Sequence, residues 1–68
     1  MINFKPLKRL LIEKDITWEM LSKETGVSKE TLHRIKTGKN VKLETLKKIL
    51  DYFECDLCDI LEYDDLYD

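Results

Sequence analysis

The stretch GVSKETLHRIKTGK, residues 26–39, carries Ser28, Lys29, Glu30, Thr31, His33, Arg34, Thr37 and Lys39. Only Leu32 and Ile35 are large aliphatic residues between Val27 and Gly38. Arginine and lysine bring several N–H donors and a positive charge, ionised glutamate only accepts, and serine and threonine hydroxyls do both. That inventory suits recognition of a polar surface by hydrogen bonds. It does not suit bond-making: no Ser/His/Asp or Cys/His pairing stands at workable positions, and there is no glycine-rich phosphate loop. The chain reads as a non-enzyme with no catalytic residues and no cofactor.

The other suggestive spacing is Cys55-Asp-Leu-Cys58. A closed structural zinc site takes four ligands. The chain offers two cysteines and one histidine, His33, far away in sequence. A redox motif of this spacing expects a preceding strand in a βαβ setting, which the pattern lacks. The expectation is no metal site, and two reduced cysteines acting as buried or half-buried small hydrophobes.

The polar stretch needs elements to hold it. At 68 residues the chain has room for one core, burying only about 60% of its unfolded surface, so a single domain over 1–68 is expected. Aliphatic residues dominate, β-branched alternation is scarce and turn residues are few, which favours helices. Leu7, Leu10 and Leu11 place a first helix over 6–14, with Pro6 tolerated in its first turn. Thr17 reads as the N-cap of a second helix running to about Thr25, with Gly26 as its left-handed stop. Ser28 caps a third over about 28–37, where Val27 and Leu32 have staple spacing. Gly38 closes it. A fourth spans about Leu43 to Tyr52, and a short fifth, capped by Asp56, about Leu57 to Glu62. The expected fold is an all-α, compact five-helix domain over about 5–62, with a loosely ordered acidic end over 63–68. Its core would contain Leu7, Leu10, Leu11, Ile16, Met20, Leu21, Val27, Leu32, Ile35, Leu46, Ile49, Leu57 and Ile60.

On a wheel of 100° per residue with Ser28, Leu32 and Ile35 facing in, Glu30, Arg34 and Thr37 point outward, with His33 on one shoulder and Lys29 on the flank. A helix ending one short turn earlier, Gly26 in that turn, and the basic KTGKNVK after it are the parts of a helix-turn-helix. In such a pair the first helix crosses the phosphate backbone, and the second sets its N-terminal residues on base edges in the major groove.

The chain also resembles the Cro/phage-repressor (XRE-type) family of helix-turn-helix regulators, through LKRLLIEKDIT, EMLSKETGVSKETLHRIKTGK and LETLKKILDYFECDLCDILEY in that order. The likeness runs from about Leu7 to Leu61 and implies a lambda-repressor-like domain that binds double-stranded DNA, often as a homodimer on a two-fold site. Matched position by position, it puts Lys29, Glu30 and Arg34 where the family reads bases, with Ser28, Thr31 and His33 adjoining. It puts Thr17, Thr37, Lys39 and Asn40 where the family touches phosphates. The chemistry agrees, since Arg34 or Lys29 could pair with guanine and Glu30 could accept from a cytosine amine or repel a wrong base. The chain departs from the family at Trp18, which stands where a glutamine usually bridges a phosphate and the recognition helix. Trp18 is either a partly buried structural aromatic or an indole N–H donor to a phosphate.

Charge is split along the chain. Residues 1–50 hold all 12 Lys and Arg against 6 acids, whereas residues 51–68 hold 8 acids and no Lys or Arg. The split implies a basic working face and an acidic opposite end. That end, with Tyr52, Phe53, Tyr63, Leu66 and Tyr67, offers a dimer seam or a docking site for a protein partner. With no apolar run approaching the roughly 18 to 20 residues of a membrane span and no signal-peptide profile, the expected location is cytoplasmic. The rival functional reading is a protein-interaction module, antitoxin- or adaptor-like, that keeps the helix-turn-helix but binds DNA weakly or not at all.

Overall fold

A computed structural model describes residues 2–63. In chain order it places β1 (Ile2–Asn3), α1 (Lys5–Glu13), α2 (Trp18–Thr25), α3 (Lys29–Lys36), α4 (Leu43–Phe53), a 3-10 turn (Leu57–Asp59) and β2 (Glu62–Tyr63). The core joins all four helices to the chain ends through Phe4, Leu7, Leu11, Leu21, Val27, Leu32, Ile35, Leu46, Ile49 and Ile60.

Helix ends follow local chemistry. The Thr17 hydroxyl accepts from the Met20 N–H at 3.1 Å, and Ser28 accepts from the Thr31 N–H at the same distance. Gly26 and Gly38 adopt φ of 79° and 75°, the left-handed turn that ends a helix without a Cβ clash. The N-terminus of α1 uses a longer-range solution. Lys5 N–H donates to Asn3 Oδ1 at 2.9 Å, Pro6 has no N–H to satisfy, and Leu7 N–H donates to the Ile60 carbonyl at 3.2 Å. Donors that a helix start leaves without partners are thus met by residues from both ends of the described chain.

The sequence-based expectation of five helices is corrected to four. Residues 57–59 make one 3-10 turn, in which the Asp59 carboxylate accepts from the Asp56 N–H at 3.0 Å. Beyond Ile60 the chain extends so that Glu62 and Tyr63 pair antiparallel with Asn3 and Ile2, and a continued helix would forfeit this pairing. The fold is therefore mostly helical with a two-stranded ribbon. Tyr63 lies in that ribbon, and residues 64–68, with Leu66 and Tyr67, fall outside the described residues.

Four core assignments also change. Met20 is 46% and Leu57 40% exposed, because the inward face of α2 runs through Trp18, Leu21 and Thr25, and the 3-10 turn is too short to roll Leu57 under. Leu10 and Ile16 are half-buried at the core's edge. Phe4, outside the expected core, is buried. Leu43 shares the phase of Leu46 and Ile49 but stays exposed at the first residue of α4.

Candidate nucleic-acid interface

The α2–α3 pair is locked by short-range bonds. Ser22 Oγ donates to the Val27 carbonyl at 2.6 Å, Thr25 Oγ1 donates to the Leu21 carbonyl at 2.7 Å, and Val27 N–H donates to Thr25 Oγ1 at 3.2 Å. Val27 and Leu32 are buried on either side of the Ser28 cap, the arrangement of a hydrophobic staple. With Leu21, Leu32 and Ile35 all almost fully buried, α3 has its orientation set by packing, and its other faces are left free.

Those faces hold most of the expected base-reading residues. Lys29, Glu30, His33 and Arg34 are exposed on α3. Ser28 is exposed, not turned inward: as N-cap it lies outside the helical phase, and its hydroxyl also donates to Thr31 Oγ1 at 2.9 Å. Thr31 is half-buried and tied to that cap. Arg34 Nη2 lies 3.6 Å from Glu30 Oε1 one turn earlier. Such an exposed pair adds little stability, about 0.3–0.5 kcal/mol, so both groups can leave it for other partners.

The expected phosphate contacts fall at the two ends of the pair. Thr17 caps α2 and Trp18 is its first residue. At the far end of α3, Gly38 N–H donates to the Ile35 carbonyl at 3.2 Å and Lys39 N–H to the Arg34 carbonyl at 2.9 Å, the paired bonds of a Schellman turn. Thr37 Oγ1 donates to the His33 and Arg34 carbonyls at 3.0 and 3.2 Å. This network fixes where exposed Lys39 and Asn40 leave the helix.

Trp18 is half-buried and packs against the core, and Lys36 Nζ stands 5.5 Å from its ring centroid. Lys36 was not singled out by the spacing of the polar stretch. Its phase, seven residues after Lys29 and three after His33, would have placed it on the same face. Trp18, Glu19, Lys29, Leu32, His33 and Lys36 line an open cleft of about 250 Å³ between α2 and α3.

Acidic residues collect elsewhere. Asp59 and Glu62 share a second cleft with Arg9, Lys14, Glu13, Cys55 and Cys58, and Arg9 Nη2 pairs with Glu62 Oε1 at 3.5 Å. The acidic run is thus partly answered by Arg9 of α1. Cys55 is half-buried, but Cys58 is exposed, contrary to the expectation that both would be at least half-buried. Burial, then the Asp59 and Asp56 carboxylates, push the Cys55 thiol above its ordinary value, while Lys14 opposes them. That is the reverse of an activated thiolate. Among the described residues no group of three or more His, Cys, Asp or Glu is placed to hold a metal ion, and no helix is long and apolar enough to cross a membrane.

Two helices joined by a short turn, the second packed by one face and polar on its exposed N-terminal face, define a helix-turn-helix domain. The sequence profile of the Cro/C1-type HTH DNA-binding domain matches residues 6–65, and the chain belongs to that family. Among solved structures, the chain is similar to the transcriptional regulator VanUg (crystal form II), with 36% sequence identity and a TM-score of 0.84. The match covers 90% of this chain and 81% of that one. No curated protein sequence matches.

Proposed function

We propose that this protein is a sequence-specific, double-stranded-DNA-binding transcriptional regulator that lays α3 in the major groove and binds a two-fold site as a homodimer. The observation that carries this reading is the exposed row of Lys29, Glu30, His33 and Arg34 on a helix whose opposite face is buried. Membership of a DNA-binding family and the likeness to VanUg support it. Ser28 and Thr31 flank the base-reading row, Thr17, Thr37, Lys39 and Asn40 contact phosphates on either side, and Trp18 packs beside them at the start of α2. Affinity comes mainly from charge and is salt-dependent, while specificity comes from residues 28–34.

The test is selection from a random duplex library, with enriched sites titrated at two salt concentrations. A palindromic consensus bound with steep salt dependence is the expected result. Failure to enrich any site, with only weak charge-driven binding, would sink the reading and leave the protein-interaction module in its place.

A further inference from the structure

We propose that Lys36 is a DNA-phosphate contact and that Trp18 is its positioning residue. This inference rests on the DNA-binding reading and adds to it a residue that the sequence pattern did not pick out.

Two independent observations converge on it. The first is the contact itself, with the Lys36 ammonium 5.5 Å from the Trp18 ring centroid, inside the range over which a ring face attracts a cation. A lysine on an exposed helix face ordinarily samples many rotamers, and binding has to quench that freedom. The Trp18 ring is half-buried and packed on the core, so it is a fixed platform that has already restricted the ammonium. The second observation is where the contact lies. Lys29, Leu32, His33 and Lys36 follow one another at helical spacing and line the α2–α3 cleft together with Trp18. Leu32 is buried and forms the floor, leaving the two ammonium groups and the imidazole on the rim. Glu19 is the acid in that lining, against Lys29 and Lys36.

A ring-held cation at the seam of the two helices performs the task of a bridging side chain. The ammonium rests on the ring of the first helix and turns its remaining N–H donors to the backbone of the duplex. The ring has no competing charge, so the ammonium keeps its full attraction for a phosphate. Trp18 therefore acts through Lys36, and its own N–H is not needed.

The experiment compares the full chain with the variants Lys36→Gln, Trp18→Phe, Trp18→Leu and the Lys36→Gln/Trp18→Leu pair. Each is titrated by anisotropy against the wild-type consensus duplex over a range of salt, with a thermal melt to show that it is folded. Lys36→Gln is expected to lower the salt slope by about one unit. Trp18→Leu should weaken binding about two- to fivefold, the size of an exposed cation–π contact, with the slope unchanged. Trp18→Phe keeps a ring and should retain most of the affinity. The double variant should bind no more weakly than Lys36→Gln alone.

An unchanged slope and affinity for Lys36→Gln would overturn the phosphate contact. Loss in Trp18→Phe equal to that in Trp18→Leu would assign the effect to the indole N–H and overturn the positioning role, as would losses that simply multiply in the double variant. Lys36 lies on the surface and its variant is expected to fold, so the contact stays testable even if Trp18→Leu unfolds. If the wild-type chain selects no site at all, it is the DNA-binding reading that fails, a result distinct from all of these.

Discussion

The α2–α3 pair and the closure of α1 on the C-terminal turn are built by opposite means. The pair is made of bonds between near neighbours: Thr17 to Met20, Ser22 to Val27, Ser28 to Thr31, with a glycine ending each helix. The closure is made of bonds between distant residues, with Leu7 on Ile60, Asn3 and Arg9 on Glu62, and Ile2 paired to Tyr63. Its helix ends differ too. Asp15, just past α1, and Glu54, ending α4, hold φ of 58° and 53° without being glycine, a conformation costing roughly 1–2 kcal/mol for a residue with a Cβ. The region proposed to meet DNA is locally specified and unstrained at its turns, while the region that supports it accepts strain and depends on the whole chain.

The sharpest way to break the comparison is to excavate each side. Leu32→Ala and Ile60→Ala remove side chains that are both buried, and each should cost about 2–5 kcal/mol in urea unfolding. They should part company at low temperature, where the folded Ile60→Ala protein keeps its sequence preference and Leu32→Ala does not. A shared loss of preference would mean that the two regions are energetically one. Next in size, Arg34→Ala should cost about 1–3 kcal/mol at one base position while leaving random DNA nearly unaffected. Equal losses on specific and random duplexes would remove Arg34 from base reading.

Gly26→Ala comes third. An added Cβ would meet nothing within 4 Å, so the expected loss of about 1–2 kcal/mol comes from backbone strain alone. A neutral result would show that the turn can relax. Lys39→Ala should weaken all duplexes alike and lower the salt slope by about one unit, in contrast to the position-specific loss at Arg34. The smallest effect has the opposite sign. Asp15→Gly or Glu54→Gly should each stabilise by about 0.5–1 kcal/mol, since relief of the left-handed strain exceeds the added chain entropy of glycine. A loss in either would assign those acids a compensating role.

The same contrast explains what the sequence disclosed. Thr17, Gly26, Ser28 and the Val27–Leu32 spacing act within one turn, so their residue types announce their places. All four of those readings agree with the fold. Nothing near Phe4 or Glu62 announces that residues 2–3 and 62–63 will pair, because the pairing depends on chain ends that meet only in the folded state. A pattern of Leu57, Ile60 and Leu61 looks helical until β1 competes for the residues beyond it. Left-handed Asp15 and Glu54 are equally silent, since each looks like an ordinary surface acid. In the candidate interface, the exposure of Glu30, Arg34 and Thr37 followed from helical phase, that of the N-cap Ser28 did not, and the significance of Lys36 depends on Trp18 beneath it.

The bond from Leu7 N–H to the Ile60 carbonyl also has a bearing on how the protein is made. Contacts between residues close in sequence form early, and those that close long loops form late and set the pace. The α2–α3 pair holds all of its locking partners once Lys39 has been synthesised. The first helix, although synthesised before it, must wait for residue 60 to complete its own N-terminus. A chain arrested between these points would carry the proposed reading helix on an unfinished support, so the last quarter of the described sequence acts as the step that completes folding.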